Sequence, residues 1–105
     1  AIVGGEDLLW AGYSFRVLPT PGHSPGHVAF YCASEKFVLS GDALFQGSIG
    51  RTDLPGGNHQ ELIESIIGQL LSLPDGTRVL SGHGPDTTIG RERTHNRYLS
   101  ETLHG

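Results

Sequence analysis

Thr20-Pro21-Gly22-His23-Ser24-Pro25-Gly26-His27 places two histidines four residues apart in a stretch that cannot be helical. Pro21 and Pro25 fix φ and remove two amide donors. Gly22 and Gly26 allow backbone angles and close approaches that a side chain would block. The stretch directly follows Ser14-Phe15-Arg16-Val17-Leu18, which reads as a strand. It is therefore a shaped loop at a strand end, carrying imidazoles. Neutral imidazole is the commonest protein metal ligand. The alternative is a polar surface turn that happens to hold two histidines, and the neighbouring sequence weighs between the two.

Upstream, residues 6–10 read as a strand joined to 14–18 by the turn Ala11-Gly12-Tyr13. Downstream, Val28-Ala29-Phe30-Tyr31-Cys32 is continuously apolar, as expected of a strand covered on both faces. Residues 37–40 form the next short strand, and 41–57 read as a loop with one helical turn. Asn58 is a good helix N-cap with Glu61 three residues on. Leu62, Ile63, Ile66, Ile67, Leu70 and Leu71 then mark one face of a helix that Pro74 ends. Residues 78–81 are a last strand. Residues 89–103 read as one mostly polar helix with a wide exposed face, with Thr87 and Thr88 as turn and capping residues.

Three of these loops share one design. Strand 14–18 leads through Gly22 to His23, strand 37–40 through Gly41 to Asp42, and strand 78–81 through Gly82 to His83. Ligands leaving strand ends of one sheet can converge at its rim, and the glycines let the backbones approach. The repetition favours a metal site over scattered polar loops. Spacing alone leaves the metal open. Two histidines and an aspartate with free positions suit a non-haem iron oxygenase and equally part of a zinc hydrolase site.

Composition narrows the remaining classes. The chain has 105 residues, one domain or part of one. A net charge of −4 with seven Lys and Arg shows no basic footprint for nucleic acid. No apolar run approaches a membrane span, and no signal-like segment opens the chain. The single cysteine, Cys32, permits no internal disulfide and fits a cytoplasmic protein. Within its apolar run it reads as a buried small hydrophobe rather than a nucleophile. The phosphate-binding and nucleophile-elbow glycine motifs are absent. There is no methionine, so the chain is not expected to begin at an initiator.

With these motifs in hand, the sequence resembles the metallo-β-lactamase-fold hydrolases, in their glyoxalase II-like branch. The resembling stretches are the loop 20–27, Leu39-Ser-Gly-Asp-Ala-Leu-Phe45, Gly50-Arg-Thr-Asp-Leu-Pro-Gly-Gly57, Gly82-His-Gly84 and Thr87-Thr-Ile-Gly-Arg-Glu92. The resemblance implies an α/β fold, here the C-terminal half of an αββα sandwich. It implies a two-metal hydrolase acting on thioesters such as acylated glutathione. His23 would bind the first divalent metal, His83 the second, and Asp42 would bridge them as the catalytic aspartate. Zinc is the expected metal, with iron or manganese as alternatives. Arg51 matches a basic residue facing the substrate carboxylate, while an Arg51–Asp53 structural pair is the competing reading. His27 would support the site without ligating. His59, His95 and His104 would be solvated.

The family's His-x-His-x-Asp-His motif is missing, so the remaining ligands and the water-orienting aspartate are expected in a half that precedes this chain. The chain ends soon after its last helical stretch, so the extra C-terminal domain of long glyoxalases II is expected to be absent. At the end, Asn96-Arg97 stands where the family often has Asn-Pro, which changes a helix end. Weak or absent metal binding follows for this chain alone, and pairing with the other half or with itself is the expected partnership, across an inner sheet face that Phe15, Val17, Val28, Phe30, Val38 and Val79 or Leu80 would largely supply. Two alternatives stand beside the hydrolase. One is a persulfide dioxygenase with a single iron at His23 and Asp42, against which Gly82-His83-Gly84 argues. The other is a metal-free half-domain acting only by chain pairing.

Overall fold

The computed structural model describes residues 7–81 and 84–104, the last four by backbone alone. β1 (Asp7–Trp10), β2 (Tyr13–Pro19), β3 (Val28–Cys32) and β4 (Phe37–Leu39) form an antiparallel meander. A separate small hairpin follows, β5 (Leu44–Phe45) with β6 (Ser48–Ile49). Then come α1 (His59–Ser65) and its continuation in π-helical form, Ile66–Leu70. β7 (Arg78–Leu80) returns parallel to β4, and β8 (Thr87–Thr88) pairs antiparallel with β7. α2 (Ile89–His95) and α3 (Arg97–His104) end the chain. The six-stranded sheet has the order β1-β2-β3-β4-β7-β8. No helix among the described residues is long and apolar enough to cross a membrane.

This topology builds a rim. β4 and β7 are parallel, and two antiparallel steps make β2 run the same way. The C-terminal ends of β2, β4 and β7 therefore leave the sheet on one side. These are the three strand ends that precede His23, Asp42 and His83. The Ser40 amide donates to the Leu80 carbonyl at 3.2 Å, locking two of those ends together. A parallel pair needs a long crossover. Here the crossover carries α1, which it lays over one sheet face.

That face holds the core. Leu18, Ala29, Val38 and Val79 project from the sheet onto Leu62, Ile63, Ile66, Leu70 and Leu71, with Ile89 and Leu99 from the last helices. The helical face read from the sequence is thus the buried one. Its apolar pairs recur every four residues, which drifts off a 3.6-residue helix. The π turn, in which the Leu71 amide reaches the Ile66 carbonyl at 2.9 Å, is wound more slowly and keeps Leu70 and Leu71 on the core.

The opposite face carries Phe15, Val17, Val28, Phe30, Leu39 and Leu80. Cross-strand register pairs Val17 with Phe30, Phe30 with Leu39, and Leu39 with Leu80. Phe15, Val17, Val28 and Phe30 share this face as alternation predicts. Val38 does not: register turns it, with Val79, toward the helices. An apolar groove of ≈ 440 Å³ opens here, lined by Leu8, Leu9, Trp10, Phe15, Phe30 and Leu39. Leu9 and Trp10 are 80% and 70% exposed.

Two local readings are corrected. The 41–57 stretch is not a loop with a helical turn but contains the β5–β6 hairpin. The single helix expected over 89–103 is broken at Asn96, whose backbone is extended (φ −79°, ψ 111°). The Asn96 side chain accepts from the Tyr98 amide at 3.0 Å, starting α3 afresh. Thr88 caps α2 by accepting from the Arg91 amide, while Thr87 lies in β8, a strand the sequence reading did not contain.

Candidate metal centre

The 20–27 loop is clamped before it presents anything. Its neck closes where the Thr20 amide donates to the His27 carbonyl at 2.9 Å. The Asn58 amide donates to the Gly22 carbonyl at 2.6 Å and the Ser65 hydroxyl to the Pro21 carbonyl at 2.8 Å, fixing the loop to α1. Gly22 has φ +134°, and a Cβ there would lie 2.3 Å from the Leu62 backbone. Only glycine lets helix and loop meet so closely.

His23 points its Nδ1 at the Arg51 carbonyl oxygen, 2.8 Å away. A carbonyl only accepts, so Nδ1 carries a hydrogen, and in the neutral ring Nε2 keeps its lone pair. Nε2 faces the Asp42 carboxylate, 3.6 Å from Oδ2. That is too long for a hydrogen bond. It suits two donors of one cation, each bonded at roughly 2.0–2.2 Å. A histidine held by Nδ1–H to a backbone carbonyl is the usual support of a metal ligand.

Asp42 is placed from the other side. Its amide donates to His27 Nε2 at 3.1 Å. His27 Nε2 therefore accepts, and Nδ1 donates to the buried Thr20 hydroxyl at 2.8 Å. Burial holds the His27 ring below its ordinary pKa, the neighbouring His23 adds to this, and Asp42 opposes it. A neutral ring with both nitrogens engaged is positioned to hold Asp42 rather than to ligate.

Gly50 completes the pocket between them. A Cβ there would fall 1.8 Å from the Asp42 carbonyl oxygen and 3.5 Å from His23 Nδ1. Arg51 follows, and it contributes its carbonyl oxygen to His23, a role no sequence signal announced. Its guanidinium makes a two-point pair with Asp53, Nε to Oδ1 at 2.8 Å and Nη2 to Oδ2 at 3.0 Å. The Arg51 hydrogen bond holds the exposed Asp53 carboxyl below its usual range. Beside the pair lies a shallow pocket of ≈ 310 Å³ that His59 and Tyr98 also line.

The structure thus brings His23, Asp42 and His27 together and sets the Arg51 backbone against them. His83 lies outside the described residues. Among the described residues no group of three or more His, Cys, Asp or Glu side chains gathers as a metal site. His59 and His95 are exposed, and the His104 side chain is outside the described set. Cys32 is fully buried, as a structural thiol would be. The sequence reading missed Glu92. It sits in the polar helix yet is completely buried, and only its place in the 87–92 stretch set it apart.

A family model described as the metallo-beta-lactamase superfamily matches residues 2–83. The chain is 50% identical over 99 residues to the probable metallo-hydrolase YqgX of Bacillus subtilis (strain 168), covering 94% of this chain and 47% of that protein. It is 47% identical over 96 residues to hydroxyacylglutathione hydrolase GloC of Haemophilus influenzae, covering 91% and 45%. The solved structure of TTHA1623 in a di-iron-bound form superposes with a TM-score of 0.85 at 51% identity, covering 93% of this chain and 47% of that one. The chain spans about half the length of the curated relatives it matches.

Proposed function

The chain belongs to the metallo-beta-lactamase superfamily, and we propose that it carries the C-terminal half of a two-metal hydrolase centre acting on thioesters such as acylated glutathione. The observation that carries this reading is the facing pair of His23 Nε2 and Asp42 Oδ2, with the His23 tautomer set by the Arg51 carbonyl. The donor set fits a divalent metal: one unprotonated imidazole nitrogen and one carboxylate. His23 would hold the first metal, His83 the second, and Asp42 both through its two oxygens. When bound, such a pair activates water and polarises a carbonyl oxygen. The 51%-identical relative, described as di-iron-bound, supports iron beside zinc as the occupant.

This chain's own residues then orient and select. Arg51 and Thr20 fix the two imidazole rings. Asp53 takes Arg51 Nε and Nη2, which leaves the Nη1 edge for a substrate carboxylate. Structural pair and substrate contact are then two uses of one side chain. The remaining ligands belong to a preceding half. The open face at Leu8, Leu9, Trp10, Phe15, Phe30 and Leu39 supports a docking role for that half. Covering several hundred Å² of apolar surface at about 25 cal/mol per Å² stabilises the pair by several kcal/mol.

Metal analysis and turnover of the protein containing this chain with its preceding half test the reading. Two metals per molecule and thioester hydrolysis support it. One iron with oxygen-dependent turnover would replace it with the dioxygenase, and a metal-free protein with the pairing module. For this chain alone, metal that yields to a mild chelator and self-association in sedimentation are the expected results. A compact monomer with no companion would remove the docking role.

A further inference from the structure

We propose that Glu92 is a positioning residue for the metal centre, acting through the β5–β6 hairpin; the step to the metal rests on the reading of His23 and Asp42 above. Glu92 is completely buried. Its Oε1 accepts from the Gly47 amide at 2.8 Å and from Asn96 Nδ2 at 2.9 Å, and its Oε2 accepts from the Thr87 hydroxyl at 2.7 Å. Asn96 Nδ2 also donates to the Ser48 carbonyl at 3.1 Å. Both anchors, Gly47 and Ser48, sit at the tip of the hairpin. α2 therefore grips that tip through a buried carboxyl group and an amide.

The other end of the same hairpin is the site. Its strands pair Leu44 with Ile49, and the Gly50 amide donates to the Ala43 carbonyl at 3.0 Å. One arm begins just after Asp42. The other arm ends at Gly50 and Arg51, whose carbonyl sets the His23 ring. Tilting a two-stranded hairpin of this length at its tip moves both arms at its base. A shift there changes the Asp42 carboxylate and the His23 ring together. Thr87, in β8, ties Glu92 to the sheet edge without touching the hairpin. Glutamate suits the position because all three partners donate to it. A glutamine can reproduce the contacts, since its oxygen serves Gly47 and Asn96 and its amide can donate to a rotated Thr87 hydroxyl.

The test compares Glu92→Ala, Glu92→Gln and Thr87→Val in the protein containing this chain with its preceding half, read in two ways. Nitrogen NMR of the metal-free protein reports the His23 ring, and Zn2+ titration reports the site. Glu92→Ala should mix the His23 tautomers and weaken Zn2+ about tenfold, the scale of a lost supporting contact. Glu92→Gln should restore both. Thr87→Val removes a Glu92 partner without touching the hairpin, so it should lower thermal stability and leave both readouts unchanged. If Glu92→Ala does not fold, Glu92→Asp, too short to reach Gly47 and Thr87 together, takes its place with the same expectation. Unchanged His23 signals in the Ala or Asp variant would overturn the proposal, as would Thr87→Val moving them equally. Wild-type protein that binds no Zn2+ or iron would instead sink the metal reading, while the His23 signals would still decide the role of Glu92.

Discussion

His23 and His27 are four residues apart in one loop, with ring centroids 5.9 Å apart and planes nearly perpendicular, yet they do opposite things. His23 gives its hydrogen to a backbone carbonyl and turns a bare Nε2 toward the Asp42 carboxylate. His27 gives its hydrogen to Thr20 and spends Nε2 on the Asp42 backbone amide. One histidine meets the aspartate at its charge, the other at its main chain. In the proposed metal centre, the same residue type would become ligand or support according to which neighbour claims each nitrogen.

Asp42 is where the two roles meet, so its substitution is the severest test. In the protein with its preceding half, Asp42→Asn should lower thioester turnover by roughly two to three orders of magnitude, the scale of losing one preorganised charged contact. The His27 bond to the backbone should survive, and metal analysis should show loosened metals. Full turnover with full occupancy would end the bridging role.

His23→Ala should weaken Zn2+ by more than about a hundredfold, beyond the range for a supporting residue. Its effect on unfolding should stay near 1 kcal/mol, because only one partly exposed hydrogen bond is lost. His27→Ala should reverse the balance. It strands the buried Thr20 hydroxyl and the Asp42 amide, and should cost about 1–3 kcal/mol in urea unfolding. Zn2+ should weaken only about tenfold. Equal effects of the two variants on both measurements would erase the distinction between the rings.

Two smaller effects sharpen the description of His27. Thr20→Val removes its Nδ1 partner and should cost about 1 kcal/mol with Zn2+ affinity nearly unchanged. The pH dependence has a definite sign. The folded pKa of His27 lies below the ordinary imidazole value, so the unfolded chain takes up a proton first on acidification. The stability contributed by the neutral ring is complete above that value and drains as pH falls through the lower folded pKa. The urea midpoint of metal-free wild type should fall between pH 7.5 and 5.5 more steeply than that of His27→Gln.

Much of the frame was legible because it rests on local rules. The periodic face from Leu62 to Leu71, the Asn58 cap and the strands at 14–18, 28–32 and 37–40 follow from side-chain period and capping chemistry alone. The repeated approach of strand, glycine and ligand pointed to one rim before any topology was known. The misreadings are nonlocal. Val38 faces the helices because its register is set by Tyr31, across the β3–β4 turn, and by Val79, far off in sequence. The break at Asn96 and the burial of Glu92 depend on Gly47 and Ser48, nearly half the chain away.

By itself the sequence determined most of the helices and strands, which loop carries imidazoles, and which family's motifs the chain shares. Local steric preference and hydrophobic period act over a few residues, and such information is written directly in the order of amino acids. Tertiary structure alone decided which nitrogen of each histidine carries the hydrogen, that the Arg51 carbonyl holds His23, and that a helix glutamate grips the hairpin behind the site. These depend on hydrogen-bond partners brought together across 28, 15 and 45 residues. Only packing chooses such partners, because a buried donor or acceptor must be satisfied by whatever the fold places within about 3 Å of it.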